Sequence, residues 1–256
     1  MTDALPPLHL VVRDGVAASP EAIARDAVGA RSLADLYAYG PGTTVRAMMN
    51  TTIDGAIAGS DGTSGTLHNA DDSFVFGVLR ALADVVLVGS QTVRVEDYRR
   101  PRGRKDLLSP SLRLSGTDAP ALAIMTASGD IPGSIDAAWP TYLLAPKHAV
   151  EKVRARSGFP AEHVITAATP AEIIAALGML GHRAIQIEGG PSALGRFAAA
   201  GVLDELCVST THRTVGGESP RMIDGDLHDA SWGLRSLLVG PEASCARYSR
   251  SPVESA

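Results

Sequence analysis

The sequence predicts an α/β protein with a mostly parallel central sheet and helices on both of its faces. Short apolar runs of β-branched character alternate with amphipathic helical segments, which is the order that parallel β-α-β units produce. With 256 residues, of which 45% are hydrophobic and 20% charged, the chain can bury a substantial core. Two runs near the C-terminus, 206–211 and 243–249, have no helix directly between them and predict an antiparallel edge.

Residues 1–42 are predicted to form an N-terminal arm with short helices, separate from a domain over residues 43–256. Ser19, followed by proline, is placed to cap a first helix, because proline at the first helical position loses no needed N–H. Ser32 is placed to begin a second helix, which Gly40 would stop. Such an arm would cover a sheet edge or a dimer interface.

Within the domain, strands are predicted wherever a short continuous apolar run occurs. These runs are 45–49, 85–88, 121–125, 142–144 and 184–187. Capping residues predict the starts of three helices, at Asn69, at Thr169 and at Pro191. The helix after Thr169 is expected to bury Leu177 and Leu180 on one face.

Charge and composition exclude several classes of function. A net charge of -5 argues against a dedicated nucleic-acid partner. Two cysteines, Cys207 and Cys245, and seven scattered histidines predict neither a disulfide framework nor a metal site. No apolar run approaches the roughly 18 residues of a membrane span, and the first residues do not resemble a signal peptide. A cytoplasmic protein without a membrane partner is therefore expected.

Three unusual stretches follow predicted parallel strands, at the edge where ligands bind in such sheets. The first, 50–55, has small polar residues and then Asp54, which is suited to donating a proton or orienting a hydroxyl. An ordinary Asp-Gly turn is the alternative explanation. The second, 88–93, places Gly89, Ser90 and Thr92 where a helix begins and free N–H groups attract phosphate. A capped strand–helix turn explains it equally well.

The third stretch, 188–192, combines an acid at a strand end with two glycines and a helix start. Glycines allow close backbone approach, so this stretch predicts a pyrophosphate bound on bare amides. No G-x-G-x-x-G fingerprint is present, and a standard Rossmann site is not supported. The basic run 94–105 is suited to docking a phosphate or to forming a solvated loop.

Read together, these stretches resemble the reductase half of the bifunctional riboflavin-biosynthesis deaminase/reductase. Four motifs carry the resemblance: T-I-D-G at 52–55, where the family has S-L-D-G, V-G-x-x-T-V at 88–93, E-G-G-P at 188–191 and D-E-L at 204–206. The resemblance runs from about residue 46 to 250 and implies a dihydrofolate-reductase-like fold. The zinc motifs of the deaminase half occur nowhere in the sequence.

The resemblance implies NADPH as hydride donor and a ribosylamino-pyrimidine 5′-phosphate as the small-molecule substrate, whose ribosyl group becomes a ribityl chain. Asp54 and Glu188 are the candidate catalytic residues. Cofactor contacts are implied at Asn50, Thr66, Gly89, Ser90, Thr92, Glu96, Gly189, Gly190, Pro191, Ser192, Ala193 and Leu194. Substrate contacts are implied at Ser64, Arg80, Arg102 and Glu188. A homodimer is also implied, since the family pairs its reductase domains and the apolar C-terminal strands offer a surface.

Several positions depart from the family pattern near the implied substrate. Thr66 stands where many members have tryptophan, and the usual D-D-P reads E-D-Y at 96–98. Arg99, Arg100 and Arg102 are alternatives for the arginine expected next. The main hypothesis is an NADPH-dependent reductase of a pyrimidine- or pterin-like metabolite, dihydrofolate included. The alternatives are a cofactor-binding protein without catalysis and a phosphate-binding sugar enzyme without a redox cofactor.

Overall fold

The computed structural model describes residues 5–251, which form one large sheet with helices on both faces. The strands are β1 (Leu8–Arg13), β2 (Val16–Ile23), β3 (Thr44–Thr52), β4 (Val85–Gly89), β5 (Ala121–Met125), β6 (Thr141–Ala145), β7 (Val164–Thr166), β8 (Ala184–Glu188), β9 (Glu205–Thr211), β10 (Trp232–Val239) and β11 (Ala243–Arg250). The helices are α1 (Ala27–Leu36), α2 (Ala70–Leu82), α3 (Ser90–Val95), α4 (Val150–Arg156), α5 (Pro170–Met179) and α6 (Pro191–Ala199).

The strand order is β2-β1-β10-β11-β9-β3-β8-β4-β5-β6-β7. From β9 to β7 all neighbouring strands are parallel, and from β2 to β9 they are antiparallel. The predicted α/β class, mostly parallel with antiparallel C-terminal strands, is confirmed. All five strands predicted within the parallel part are present, and β7 is an additional short strand.

The N-terminal segment differs from the predicted pair of short helices. The helix expected at Ser19 is wrong, because that residue lies in β2, which pairs with β1 and buries Ile23. Proline is tolerated there because an edge strand does not need every N–H. The second helix exists but begins earlier, where Asp26 accepts hydrogen bonds from the Val28 and Gly29 amides. Residues 1–4 of the predicted arm and 252–256 of the predicted domain lie outside the described residues.

The C-terminal strands are antiparallel, as predicted, but they are not the edge of the sheet. β9 pairs with β11, and β10, β1 and β2 continue the sheet beyond them. The sequence analysis missed β10 because its apolar residues do not alternate regularly, and its pairing with β11 shifts register between Leu234 and Ser236. The predicted burial of Leu180 is also wrong, because this residue lies at the C-terminal cap of α5 and is 42% exposed. Leu177 is buried as predicted.

Three apolar cores pack against the sheet, one on the first face and two on the second. The first face carries α5 and α6, and the opposite face carries α1 and α2 at one end and α3 and α4 at the other. β4 contributes to both faces: Val85 and Leu87 point into the first core, Val86 and Val88 into another, and all four are fully buried. The expectation that this strand is buried on both faces is confirmed.

A buried ion-pair network joins the N-terminal segment to the sheet. Arg46 is 0% exposed and donates to Glu205 at 2.6 Å and to the Tyr37 carbonyl at 2.9 Å. Arg247 donates to Glu205 and to the Leu36 carbonyl. Buried charges need partners of this kind, and the end of α1 supplies two of the acceptors. Residues that precede β3 are thus part of the same packed structure.

Candidate functional site

The three unusual sequence stretches meet at one edge of the sheet, as predicted. β3, β8 and β4 are consecutive parallel strands, with Met48 opposite Glu188 and Leu87 opposite Ile187. Their carboxyl ends therefore lie side by side. Each strand ends in one of the three stretches, so the stretch after β8 lies between the other two.

Two helix starts lie next to each other at this edge. The Gly190 amide donates to Thr92 Oγ1 at 3.0 Å, which ties the start of α6 to the first turn of α3. A Cβ on Gly190 would lie 2.8 Å from the same oxygen, and Gly189 has a φ of +67°, so both positions favour glycine. Nothing lies within 4 Å of a Cβ placed on Gly89. The start of α3 thus borders open space at Gly89, and its first N–H groups have no intrahelical acceptors. α6 begins with Pro191, which has no N–H, so its first amides without intrahelical acceptors are those of Ser192 and Ala193.

The end of the third stretch and the first turn of α6 differ in exposure from residue to residue. Ser192 is exposed and Pro191 is partly buried. Leu194 is 0% exposed, and its amide donates to the Gly190 carbonyl at 3.1 Å. Its side chain and its N–H are thus both occupied within the protein, and the implied cofactor contact at Leu194 stays a prediction. Ala193 is 9% exposed and has its side chain in the same core.

Glu188, at the end of β8, is 5% exposed and accepts hydrogen bonds on both carboxylate oxygens. Arg80 Nε lies 2.8 Å from Oε1 and 3.0 Å from Oε2, and Arg80 Nη2 lies 2.5 Å from Oε2. Gln186 Nε2 donates to Oε1 at 2.6 Å, and the Tyr98 hydroxyl donates to Oε2 at 2.5 Å. The structure therefore brings together Arg80 and Glu188, two residues with implied substrate contacts, and adds Gln186 and Tyr98 as partners.

The electrostatics of this cluster keep the arginine charged and the tyrosine neutral. Burial is the largest single influence and lowers the pKa of Arg80, but the charges and hydrogen bonds of Glu188 and Tyr98 together outweigh it, and the net shift is upward. Burial and the same negative charge raise the pKa of Tyr98 well above its usual value. Glu188 thus has a fixed cation and fixed donors around it, an arrangement that holds these groups in fixed orientations.

Asp54 is exposed and is held by three donors. Thr52 Oγ1 donates to one carboxylate oxygen, and the amides of Val215 and Gly216 donate to the other at 3.1 and 2.7 Å. The hydrogen bond from Thr52, followed by that from Gly216, lowers the pKa of Asp54. The side chain is therefore ionised at neutral pH, which suits it to orienting a hydroxyl rather than donating a proton.

Two loops meet over the end of β3. Residues 53–66 contact the segment 212–231, which we call the strap. Ile53 donates to the Arg213 carbonyl at 2.9 Å, and Ile57 donates to Ser219 Oγ at 3.2 Å. A cleft of about 440 Å³ lies between Asp54, Val208 and the strap.

The other implied contacts are divided between these loops and α3. Ser64 donates to Glu96 through both its amide, at 3.2 Å, and its hydroxyl, at 2.8 Å. Asn50 accepts from Thr211 Oγ1 at 2.8 Å, so it lies on the β9 side. Thr66 is exposed and donates to Asp61, within the loop, at 3.2 Å. The structure thus brings Ser64 to Glu96, while Asn50 and Thr66 make separate contacts.

The contacts of the basic run 94–105 are those of a solvated loop rather than of a phosphate site. Arg94, Arg99 and Arg104 each form an ion pair with a nearby aspartate. Arg100 stacks on Trp139, with its guanidinium carbon 6.0 Å from the ring centroid. Arg102 is exposed and makes no hydrogen bond or ion pair with residues 5–251.

A second cleft, of about 230 Å³, continues along the same sheet edge past α3. It is lined by residues that follow β4, β5, β6 and β7, together with residues of α5 and α6. Ser90 lies at its near end, and Arg196 of α6 is the charged side chain of its lining. The cleft therefore connects the paired helix starts to a basic group farther along the edge.

Residues 43–246 match the RibD C-terminal domain family. The chain belongs to this family. The match confirms the resemblance drawn from the four motifs, and with it the expectation of a reductase domain of riboflavin biosynthesis. Among curated proteins, comparison by sequence found no match.

Solved structures of RibD C-terminal domain proteins and their relatives share the fold. A pyrimidine reductase-like protein from Corynebacterium diphtheriae matches with a TM-score of 0.71 and 21% identity over 82% of this chain and 92% of that one. RibD from Acinetobacter baumannii matches with a TM-score of 0.67 and 15% identity, over 82% of this chain and 58% of that one. The riboflavin biosynthesis reductase Rib7 from Saccharomyces cerevisiae matches with a TM-score of 0.58 and 11% identity, over 85% of this chain and 94% of that one. These matches confirm the predicted dihydrofolate-reductase-like fold.

Sequence reasoning about this RibD C-terminal domain chain missed three contributors to the site. Gln186 precedes Glu188 by two residues in β8, and side chains two residues apart in a strand face the same side. The sequence alone could therefore have indicated Gln186. Tyr98 was noted only as a departure from the family motif. Arg196 lies on α6 four residues after the exposed Ser192, and no local pattern singles it out.

Among residues 5–251, no group of three or more histidine, cysteine, aspartate or glutamate side chains is placed to hold a metal ion. Within the same residues, every helix is too short or too polar to cross a bilayer.

Proposed function

We propose that this protein is an NADPH-dependent reductase that converts the ribosyl group of a ribosylamino-pyrimidine 5′-phosphate to a ribityl chain. One observation carries the proposal: in a chain of the RibD C-terminal domain family, the paired helix starts and the Arg80–Glu188 pair adjoin at the ends of neighbouring parallel strands. A phosphate-binding element thus lies beside a charged, ordered pair suited to hydroxyl and carbonyl groups.

The residues present fit a dinucleotide diphosphate. Gly89 leaves the first amides of α3 uncovered by a side chain at that position, and helix starts favour anions. In α6, Pro191 has no N–H and the Gly190 amide is bonded to Thr92, so the amides of Ser192 and Ala193 are the first without intrahelical acceptors. Thr92 holds the two starts together. When bound, NADPH supplies the hydride, and the protein's part is to orient the two reactants.

The second half of the cofactor is assigned to the cleft of about 230 Å³ lined by Ser90 and Arg196. That cleft begins at the helix start of α3, so a dinucleotide bound there would extend along the edge toward α6. Arg196 is its charged lining residue, and a guanidinium matches a phosphate better than it matches a ribose hydroxyl. Preference for NADPH over NADH is the expected consequence.

The substrate side is assigned to the face that carries α2. Arg80 is held by Glu188 and retains 21% side-chain exposure, so it can meet an oxygen of the substrate. Ser64 and Asn50 lie on loops and strand ends that border the same edge. Asp54, ionised by its three donors, orients a substrate hydroxyl in this scheme.

The test is a titration of NADPH and NADH followed by nicotinamide fluorescence, and then a substrate panel with NADPH oxidation as the readout. The panel contains the ribosylamino-pyrimidine phosphate, its dephosphorylated form, dihydrofolate and a phosphosugar. We expect saturable NADPH binding and the highest kcat/KM for the phosphorylated pyrimidine. Binding without turnover of any compound would favour a protein without catalysis, and absence of saturable NADPH binding would remove the redox proposal altogether.

Arg196→Gln provides a sharper test of how the cofactor is placed. Loss of a charge-assisted phosphate contact is expected to weaken NADPH binding about tenfold, and NADH binding less than about twofold. Arg154→Gln is the matched control, since Arg154 is an exposed arginine on α4 whose partner is Glu151. If Arg196→Gln weakens the binding of NADPH and NADH equally, Arg196 does not contact the 2′-phosphate that distinguishes NADPH from NADH.

We also propose that the protein is a homodimer. β2 and β7 are the edges of the described sheet, so β10 and β11 have only their faces to offer a partner. Light scattering after gel filtration is expected to give twice the 26.5 kDa of the chain. A mass equal to one chain at micromolar concentration would overturn this proposal.

A further inference from the structure

Tyr98 lies against both members of the Arg80–Glu188 pair. Its side chain is buried, at 8% residue exposure, and its hydroxyl donates to Glu188 Oε2 at 2.5 Å. The same hydroxyl oxygen accepts from Arg80 Nη2 at 3.0 Å. One hydroxyl thus bonds simultaneously to a buried carboxylate and to the cation that neutralises it.

The backbone directs this side chain inward by an uncommon conformation. Asp97 has a φ of +42°, and the chain turns there so that the Tyr98 amide donates to the Val93 carbonyl at 3.1 Å. A left-handed conformation costs free energy in residues other than glycine, and surrounding contacts must sustain it. Both the amide and the hydroxyl of Tyr98 donate hydrogen bonds. The family motif D-D-P has proline at this position, and proline has neither group.

The bonds to Glu188 and Tyr98 leave Arg80 one orientation. Nε and Nη2 are both occupied, and the guanidinium lies over the Phe76 ring, 4.2 Å from its centroid. Nη1 makes no hydrogen bond within residues 5–251. The side chain keeps 21% of its exposure, so a ligand meets Arg80 through Nη1. A guanidinium can hold a phosphate by two parallel bonds at either of two edges. The Nε/Nη2 edge of Arg80 faces Glu188, and at the Nη1/Nη2 edge Nη2 is bonded to the Tyr98 hydroxyl.

We infer that Tyr98 is a positioning residue: it locks Arg80 so that only Nη1 reaches the substrate, and Arg80 therefore recognises a single oxygen rather than a phosphate held by two bonds. The inference rests on the proposed function, which supplies the substrate. Tyr98 does not touch the reacting atoms; it acts through Arg80. The substrate phosphate must then be bound by another group.

The kinetic test compares Tyr98→Phe with the wild type. Phenylalanine keeps the ring and removes the hydroxyl. We expect KM for the phosphorylated pyrimidine to rise about tenfold, with kcat and the NADPH dissociation constant within about twofold of wild type. Tyr142→Phe is the matched control, because Tyr142 stacks on His182 and its hydroxyl makes no hydrogen bond among the described side chains.

A double-mutant cycle with Arg80→Lys separates positioning from mere structural support. Because Tyr98 acts through the guanidinium, Tyr98→Phe should change KM less than about twofold when lysine already replaces Arg80. A general loosening of the fold would instead multiply the two effects. An unchanged KM in Tyr98→Phe, or effects on KM that multiply across the cycle, would contradict the inference.

Labelling supplies a readout independent of turnover. Phenylglyoxal modification of Arg80, followed by peptide mass spectrometry, is expected to be several-fold faster in Tyr98→Phe than in wild type or Tyr142→Phe. An equal rate would show that Tyr98 does not hold Arg80, whatever the activity. If the labelling rate rises but wild type oxidises NADPH with no compound of the panel, the proposed function fails, and the specificity claim fails with it.

Discussion

Glu188 illustrates how a single residue is defined by its neighbours. A buried carboxylate is tolerated because donors from Arg80, Tyr98 and Gln186 meet both of its oxygens. Since Arg80 keeps part of its exposure, the pair is only partly desolvated, and its desolvation penalty is smaller than that of a fully buried pair. Its value to the protein lies in the orientation of the arginine.

Glu188→Gln should separate binding from turnover. The amide keeps the shape but removes the negative charge that the proposed function places beside the reacting groups, so kcat is expected to fall about 100-fold while the NADPH dissociation constant changes less than about twofold. Urea unfolding should show a loss of about 1–3 kcal/mol.

The control for Glu188→Gln is Glu151→Gln, on the exposed start of α4, whose ion pair with Arg154 is solvent-exposed. That variant should change neither kcat nor stability measurably. Wild-type turnover in Glu188→Gln would show that its charge has no part in the reaction.

The two cysteines make a prediction about pH. Burial raises the pKa of Cys207 to about 11 and that of Cys245 to about 12, from an ordinary value of 9.0. A raised folded-state pKa means that the thiols' contribution to stability is complete below pH 9.0 and is lost as pH rises toward the folded values. Urea midpoints should therefore fall from pH 9 upward, and less so in a Cys207→Ala/Cys245→Ala variant.

The same burial predicts that a thiol reagent labels neither cysteine of the native protein at pH 8, and both in urea, because the reagent needs an accessible thiolate. Rapid labelling without denaturant would show that this part of the sheet opens readily. An alkaline decline of equal size in the double variant would assign the pH dependence to the buried tyrosines instead.

At the scale of elements, α6 and the strap depend on a glycine between them. A Cβ on Gly195 would lie 2.0 Å from the Asp224 carbonyl oxygen, so the strap packs directly on the helix backbone. The strap also supplies the Val215 and Gly216 amides that hold Asp54. The strap therefore links its contact with Gly195 on α6 to the position of the Asp54 carboxylate.

Gly195→Ala is therefore expected to destabilise the protein by about 1–3 kcal/mol, although alanine is the better helix former. Chemical denaturation measures the change, and proteolysis within 212–231 should become faster. Gly178→Ala on α5 is the control, since nothing lies within 4 Å of its Cβ position, and it should be neutral or slightly stabilising. Equal stability of the two variants would mean that the strap does not pack on α6 in solution.

At the scale of the whole molecule, the N-terminal segment extends the sheet beyond the part that matches the family. The family match begins at residue 43, whereas β1 pairs with β10 and α1 packs beside α2. Arg25 forms a buried ion pair with Asp71 at the start of α2. The segment therefore covers both a strand edge and part of a core.

Removal of residues 1–42 should abolish stable folding. The truncation would expose the β10 edge and leave Arg46 and Arg247 without the acceptors that Tyr37 and Leu36 provide. Circular dichroism and gel filtration would show aggregation or loss of the cooperative thermal transition. A truncated protein that melts at the wild-type temperature would show that the segment is dispensable.

Elements that depend on local interactions were predictable from the sequence, and elements that depend on tertiary contacts were not. Helix starts at Asn69 and Thr169 were predictable because caps are local, and buried strands such as β4 because their apolar runs are short and continuous. The Ser19 helix was wrong because pairing with β1, a tertiary contact, overrode a local capping signal. β10 was missed because its strand character depends on two neighbours.

By itself, the sequence determined the α/β class, the family motifs and the three glycine- or acid-bearing strand ends, since each is encoded within a few adjacent residues. Only the tertiary structure decided that Glu188 is bound by Arg80, Tyr98 and Gln186, that Asp54 is held by the strap, and that the N-terminal segment is part of the sheet. These contacts join residues from separate elements, and their geometry exists only once the strands have set the spacing between them.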